Sequence, residues 1–189
     1  MRGVIFNFNG TLFNDFDKYE KTWRMFSKKE LNHDMSNDEL ETCRQLCRSY
    51  RLNFRLTSGA VWLFNDLKDR NIPRTITTIS PRSTVNFYFE NFHLDKWFEI
   101  EKIIYDDSII LRKPNSNFYL RAAQAINMPP EDCIIFESTL SGIISAYNAG
   151  IGKVIAIAPR NHQLIFEQMK EVYDVIANFH EFDRMLLRE

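Results

Sequence analysis

Val4-Ile5-Phe6 is a short apolar run cut off by polar Asn7 and the Asn9-Gly10 pair, which reads as a buried strand ending in a tight turn. From residue 59 onward, apolar runs alternate with helical spacing, the pattern of a parallel sheet covered on both faces. After Gly59, residues Ala60, Leu63, Phe64 and Leu67 fall at i, i+3, i+4, i+7 and predict a helix that buries one stripe. Ile72-Pro73 breaks it, and Thr75-Ile76-Thr77-Thr78 reads as the second strand. Pro81 opens a helix with Val85, Tyr88, Phe89 and Phe92 inward, and residues 102–105 form the third strand. Pro114 starts the next helix, with Tyr119, Ala122, Ala123 and Ile126 on its buried face and Pro129-Pro130 as its stop. Cys133-Ile134-Ile135-Phe136 is a continuous apolar run, expected of a strand buried on both faces. The helix after it ends at Gly150, and Val154-Ile155-Ala156-Ile157 supplies a fifth main strand. Val175-Ile176 suits a short edge strand before a last helix over residues 182–187.

Residues 13–58 break this alternation. They are polar and charge-rich, and they predict two helices, over residues 18–31 and 36–50. Trp23 and Phe26 can anchor the first, while Ser36 and Glu39 make a capping box for the second. The block sits between the first strand and the rest of the sheet, so it is expected as a small helical cap over the sheet's carboxyl edge. Residues 1–12 and 59–189 would then form the core. Arg48, Arg51 and Arg55 either face the mouth of a site or form a solvated helix face.

Composition narrows the function classes. The 189 residues carry a net charge of −1, with no run of about five like charges, which gives no electrostatic case for nucleic acid or an anionic membrane. No apolar stretch approaches the roughly 18 residues needed to span a bilayer. The strand beginning by Gly3 leaves no room for a signal peptide, so a cytoplasmic protein is expected, and separately a monomer. Sixteen Phe residues predict a core filled with large rings. Cys43, Cys47 and Cys133 fit a reducing compartment and lack the spacing of a metal site. His33, His93, His162 and His180 are scattered toward element ends.

Four segments fall at strand ends on one edge, where open α/β sheets bind ligands. They are Asn7-Phe8-Asn9-Gly10-Thr11-Leu12, Thr78-Ile79-Ser80-Pro81-Arg82, Lys113-Pro114-Asn115, and Phe136-Glu137-Ser138-Thr139 followed by Gly142. In that order they resemble the four motifs of the haloacid dehalogenase superfamily, particularly its β-phosphoglucomutase-like and phosphatase branch. The resemblance implies a Rossmannoid three-layer α/β sandwich with a parallel sheet of five main strands. It also implies phosphotransfer, in which a first Asp attacks phosphorus and a second exchanges a proton with the leaving group and water. Thr and Lys hold the phosphoryl oxygens, and Mg²⁺ joins the first loop to an acid of the fourth motif.

Carried over position by position, the catalytic roles fall on Asn7, Asn9, Thr78 and Lys113. Phosphate binding falls on Gly10, Thr11, Thr78, Ile79 and Lys113, and the metal roles fall on Asn7, Asn9, Glu137 and Ser138. Here the chain departs from the pattern, because Asn7, Asn9 and Ser138 stand where the motifs have Asp. An amide oxygen is a poor nucleophile, and losing the nucleophile costs on the order of 10⁴ to 10⁶ in kcat. Asn9 cannot exchange a proton, and Mg²⁺ affinity is expected to be weak or lost. Thr78, Lys113, the N–H groups around Gly10-Thr11 and the helix after Thr139 still favour an anion. The expectation is an impaired phosphatase-like protein that binds phosphate or a phosphorylated small molecule. Two alternatives stand beside it: an active enzyme altered at residues 7 and 9 to trap substrate, and an interaction module without a ligand. Glu137 has a plainer reading too, as a cap for the following helix.

Overall fold

The computed structural model describes residues 2–13, 55–80, 82–105 and 116–188, apart from the side chains of Ser83 and Thr84. The two helices expected of the cap, Cys43, Cys47, Arg48, Arg51, Lys113 and Pro114 lie outside the described residues. Six strands form one sheet in the order β3-β2-β1-β4-β5-β6, with every neighbouring pair parallel. They are β1 Gly3–Asn7, β2 Arg74–Thr78, β3 Ile104–Tyr105, β4 Cys133–Glu137, β5 Lys153–Ile157 and β6 Asp174–Ile176. Among the described residues the α-helices are α1 Ala60–Asp69, α2 Arg82–Phe92, α3 Asn117–Ala125, α4 Leu140–Asn148 and α5 Gln163–Glu167. This is the expected α/β architecture, with β6 as the short edge strand.

β1 lies at the centre, pairing with β2 through Val4↔Arg74 to Asn7↔Thr77 and with β4 through Gly3↔Cys133 to Phe6↔Phe136. Strand order reverses between β1 and β4, so their carboxyl ends flank the switch point where such sheets bind ligands. Successive β1 side chains point to opposite faces. Val4 and Phe6 join a cluster with α1, α2 and the C-terminal segment, whereas Ile5 joins one with α3, α4 and α5. The expected ring-filled core is present. Phe6 stacks on Phe136 at 5.2 Å and meets Phe64, Phe98 and Phe179 edge-on. On α1 the predicted stripe of Ala60, Leu63, Phe64 and Leu67 is the buried face.

Element ends differ from the sequence reading in three places. α3 stops at Ala125, before the prolines, because Asn127 takes a left-handed φ of 54° and the Met128 N–H donates to the Ala123 carbonyl at 3.0 Å. Asparagine tolerates that conformation and so ends the helix. The third strand holds two residues, since 100–102 coil into a 3₁₀ turn. In place of a last α-helix, Arg184–Leu187 forms a 3₁₀ turn whose Met185 N–H is capped by Asp183 at 2.9 Å. Four residues are too few for an α-helical ladder, and the tighter turn closes a hydrogen bond sooner.

The chain leaves the sheet and rejoins it at one point. Phe13 bridges Leu56, the Thr57 N–H donates to the Leu12 carbonyl at 2.8 Å, and the Thr57 hydroxyl donates to the Thr11 carbonyl at 2.6 Å. Both ends of the intervening segment are therefore anchored beside the β1 loop. Among the described residues, no helix is long and apolar enough to cross a membrane.

Phe6→Ala empties the centre of the ring cluster and should cost about 3–5 kcal/mol. Trp62→Ala, at a residue 50% exposed, should cost far less. Urea unfolding of both variants checks the contrast.

Candidate active site

Asn7 ends β1 and is only 3% exposed, so its carboxamide must find partners inside the protein. Its Nδ2 donates to the Asn9 carbonyl at 2.8 Å and to Thr11 Oγ1 at 3.2 Å. The Thr11 hydroxyl in turn donates to Ser138 Oγ at 3.0 Å, across 127 residues of chain. From β2, the Thr78 hydroxyl donates to Asn9 Oδ1 at 2.7 Å. Ser80 adds its own hydroxyl to the same oxygen at 3.3 Å, and its N–H donates to Thr78 Oγ1 at 3.1 Å. The ends of β1, β2 and β4 thus meet in one polar network. Asn7, Asn9, Thr11, Thr78 and Ser138 are brought together in it.

The Gly10 turn is held by its own backbone. Gly10 adopts φ 76°, which glycine reaches without strain, and its N–H donates to the Phe13 carbonyl at 2.9 Å. The N–H groups of Thr11, Leu12 and Phe13 all turn to the Phe8 carbonyl, and the Phe8 N–H goes to Thr77. The Gly10 and Thr11 amides, expected as anion donors, are therefore spent on closing the turn. The Asn9 N–H is the loop amide outside this set. Ile79 is 57% exposed at the end of β2, and Arg55 is also exposed.

Glu137 points away from the role expected of a metal ligand. It is fully buried, and its Oε2 accepts from the Ser138 N–H at 2.5 Å, the Thr139 N–H at 2.7 Å and the Thr139 hydroxyl at 3.1 Å. Its Oε1 accepts from the Tyr119 hydroxyl at 2.8 Å. Thr139 caps α4 by accepting from the Gly142 N–H at 3.1 Å. The N–H groups of Ser138 and Thr139, which lead into α4, thus bond an internal carboxylate rather than an external anion. Gly142 is required beside it, because a Cβ there would collide with the Glu137 carboxyl group.

Sequence reasoning missed Tyr119 as Glu137's partner and Ser80 as a second hydroxyl on Asn9. A signal existed for Tyr119: it lies on the buried face of α3, and a buried phenol needs an acceptor. Burial, then the charge of Glu137 and the hydrogen bond to it, hold the Tyr119 phenol well above its ordinary value. Burial, with Asp132 and Glu131 nearby, pushes the Cys133 thiol up to about 12, so it stays a protonated core residue. Among the described residues, no group of three His, Cys, Asp or Glu side chains could hold a metal ion.

A parallel sheet with this switch point, covered on both faces and carrying polar loops at its carboxyl edge, defines a Rossmann-like α/β fold. The haloacid dehalogenase-like hydrolase model matches residues 36–150, more than half of the chain. The chain belongs to the haloacid dehalogenase-like hydrolase family. The Asn7 loop precedes the matched stretch. A phosphorylated carbohydrates phosphatase of Thermotoga maritima is 25% identical over 48% of this chain and 41% of its own length. The match spans less than half the length of several curated relatives. Among solved structures, a HAD hydrolase of family IA, variant 3, from Entamoeba histolytica is 29% identical, with TM-score 0.74 and full coverage of both chains. An Asp-to-Asn variant of CbbY from Rhodobacter sphaeroides, in complex with xylulose-(1,5)bisphosphate, is 18% identical, with TM-score 0.69 over 96% of each chain.

Tyr119→Phe removes a donor from a buried carboxylate and should cost about 1–3 kcal/mol at neutral pH. The raised phenol stabilises the fold below the ordinary tyrosine value of 10.0, and that contribution is lost as pH rises above it and the unfolded state ionises first. The phenylalanine variant has no such loss, so the stability gap between the two proteins should narrow above pH 10 in paired denaturation curves.

Proposed function

We propose that this chain binds a phosphorylated small molecule, or phosphate itself, on a phosphatase and β-phosphoglucomutase-like scaffold that has lost phosphotransfer. The observation that carries the reading is the direction of the Asn7 amide. A nucleophile must offer an electron pair to phosphorus, yet Asn7 spends its Nδ2 hydrogens on Asn9 O and Thr11 Oγ1. A carboxylate at residue 7 would set one of its oxygens against the Asn9 carbonyl, so the loop is shaped for a donor. Asn9 cannot serve as acid or base, and its Oδ1 accepts from Thr78 and Ser80.

The anion is held by fewer groups than the whole motif set suggests. Thr78, the Asn9 N–H and the backbone after Thr78 at Ile79 form one side of the proposed site, with Lys113 supplying the positive charge. The Thr78 hydroxyl would leave Asn9 Oδ1 for a phosphoryl oxygen, exchanging a neutral acceptor for a charged one. Residues 13–58 serve as the cap, a reading supported by the anchoring of both segment ends at the β1 loop. The CbbY variant binds a sugar bisphosphate with one Asp replaced by Asn, which favours binding as the function that survives such a change. Mg²⁺ is not required in this reading, and the protein acts as a cytoplasmic monomer.

An aryl phosphate assay tests the lost reaction. The unmodified chain should stay at background with or without Mg²⁺, while Asn7→Asp/Asn9→Asp/Ser138→Asp should gain turnover. Activity of the unmodified chain overturns the proposal. Calorimetry with inorganic phosphate and sugar phosphates should give heat without Mg²⁺. Thr78→Val should weaken that binding about 10- to 100-fold, as expected for a hydrogen bond to a charged group. Absence of heat with every phosphate removes the binding function.

A further inference from the structure

The family resemblance places a divalent cation between the β1 loop and the β4 loop, and the groups found there do not suit one. Mg²⁺ seeks near-octahedral oxygen ligands with negative charge among them. The Asn9 carbonyl oxygen accepts an Asn7 N–H at 2.8 Å. Ser138 Oγ accepts the Thr11 hydroxyl at 3.0 Å. Both Glu137 oxygens accept hydrogens from Tyr119, Ser138 and Thr139 at 2.5–3.1 Å. The Asn9 carbonyl, Ser138 Oγ and both Glu137 oxygens, which a cation would need, are thus each met by a hydrogen of the protein.

Those hydrogens form a path. Asn7 Nδ2 donates to the Asn9 carbonyl and to Thr11, Thr11 donates to Ser138, and Thr78 closes the other side of Asn9 from β2. The path ties together the ends of three strands that are distant in sequence. We infer that the Asn7 carboxamide, working through Thr11, replaces the divalent cation as the tie between the β1 and β4 loops and makes the organisation of this site independent of metal.

The chemistry is self-consistent. An amide –NH₂ presents two partly positive hydrogens with no net charge, so it bridges neutral oxygens where a cation needs anionic ones. Without a cation, carboxylates at residues 7, 9 and 138 would repel one another across a partly buried site. The three neutral side chains therefore belong to one change. The inference shares with the proposed function the premise that Asn7 faces the site, but it concerns the protein without phosphate.

Thermal unfolding of the full chain in EDTA and in MgCl₂ tests it, alongside Asn7→Asp, Asn7→Asp/Ser138→Asp and Ser138→Ala. The unmodified chain should show the same Tm in both conditions. Asn7→Asp should lose about 3–10 °C in EDTA, the shift expected when a buried hydrogen bond becomes an unsatisfied contact. Mg²⁺ should restore part of that loss, and more of it in the double variant, as for any ligand that binds only the folded state. Ser138→Ala should lower Tm equally in EDTA and MgCl₂.

A rise in the Tm of the unmodified chain with Mg²⁺, or an Asn7→Asp variant as stable as the parent in EDTA, overturns the inference. Should Asn7→Asp fail to fold in either buffer, the Mg²⁺ response of the unmodified chain and of Ser138→Ala still decides. Metal-independent stability without any phosphate binding supports this inference while overturning the proposed function. Phosphate binding together with a Mg²⁺-raised Tm does the reverse.

Discussion

Burying Asn7 at the end of the central strand is the constraint on which the site depends. β1 is flanked by β2 and β4 and covered on both faces, so water cannot satisfy a polar side chain at its tip. An amide there must both donate and accept within the protein. Its donors reach the Asn9 carbonyl and Thr11, which brings in Ser138 from β4. Thr78 and Ser80 then converge from β2 on the Asn9 side chain. Such a network is costly when partly satisfied and rigid when complete, which explains why its members are neutral donors and acceptors rather than charges.

A second buried group resolves the same problem with a charge. Glu137 sits one residue past the apolar part of β4, fully enclosed, and would be strongly destabilising without partners. The first N–H groups beyond β4, the Thr139 hydroxyl and the Tyr119 phenol supply them. The start of α4 thus carries its own anion, and Gly142 gives the carboxylate the space it occupies. The fourth-strand loop therefore serves stability first. The proposed anion site therefore rests on the β1 and β2 loops rather than on the start of α4.

Much of the core was legible because its signals are local. Continuous apolar runs marked β1, β4 and β5, and the i, i+3, i+4, i+7 stripe marked the buried face of α1. The weaker readings came where short-range hydrogen bonds compete. Asn127 ended α3 ahead of two prolines, and the C-terminal residues coiled too briefly for an α-helix. α5 went unread because two of its apolar residues, Leu164 and Ile165, face solvent, so its five residues show no buried stripe. The expected cap and Lys113 lie outside the described residues.

By itself the sequence determined the family, through the order of four loop motifs at strand ends, and the neutral residue types at positions 7, 9 and 138. Residue type limits chemistry wherever the chain folds, since an amide can be neither a strong nucleophile nor an anionic ligand. Only the tertiary structure decided which atoms of those side chains meet. Whether Asn7 donates or accepts, and whether Glu137 faces a ligand or the start of its own helix, depends on groups from other strands and helices. The Asn7–Ser138 path and the Tyr119–Glu137 bond join residues far apart in the chain, and no local pattern records which way a buried hydrogen bond runs.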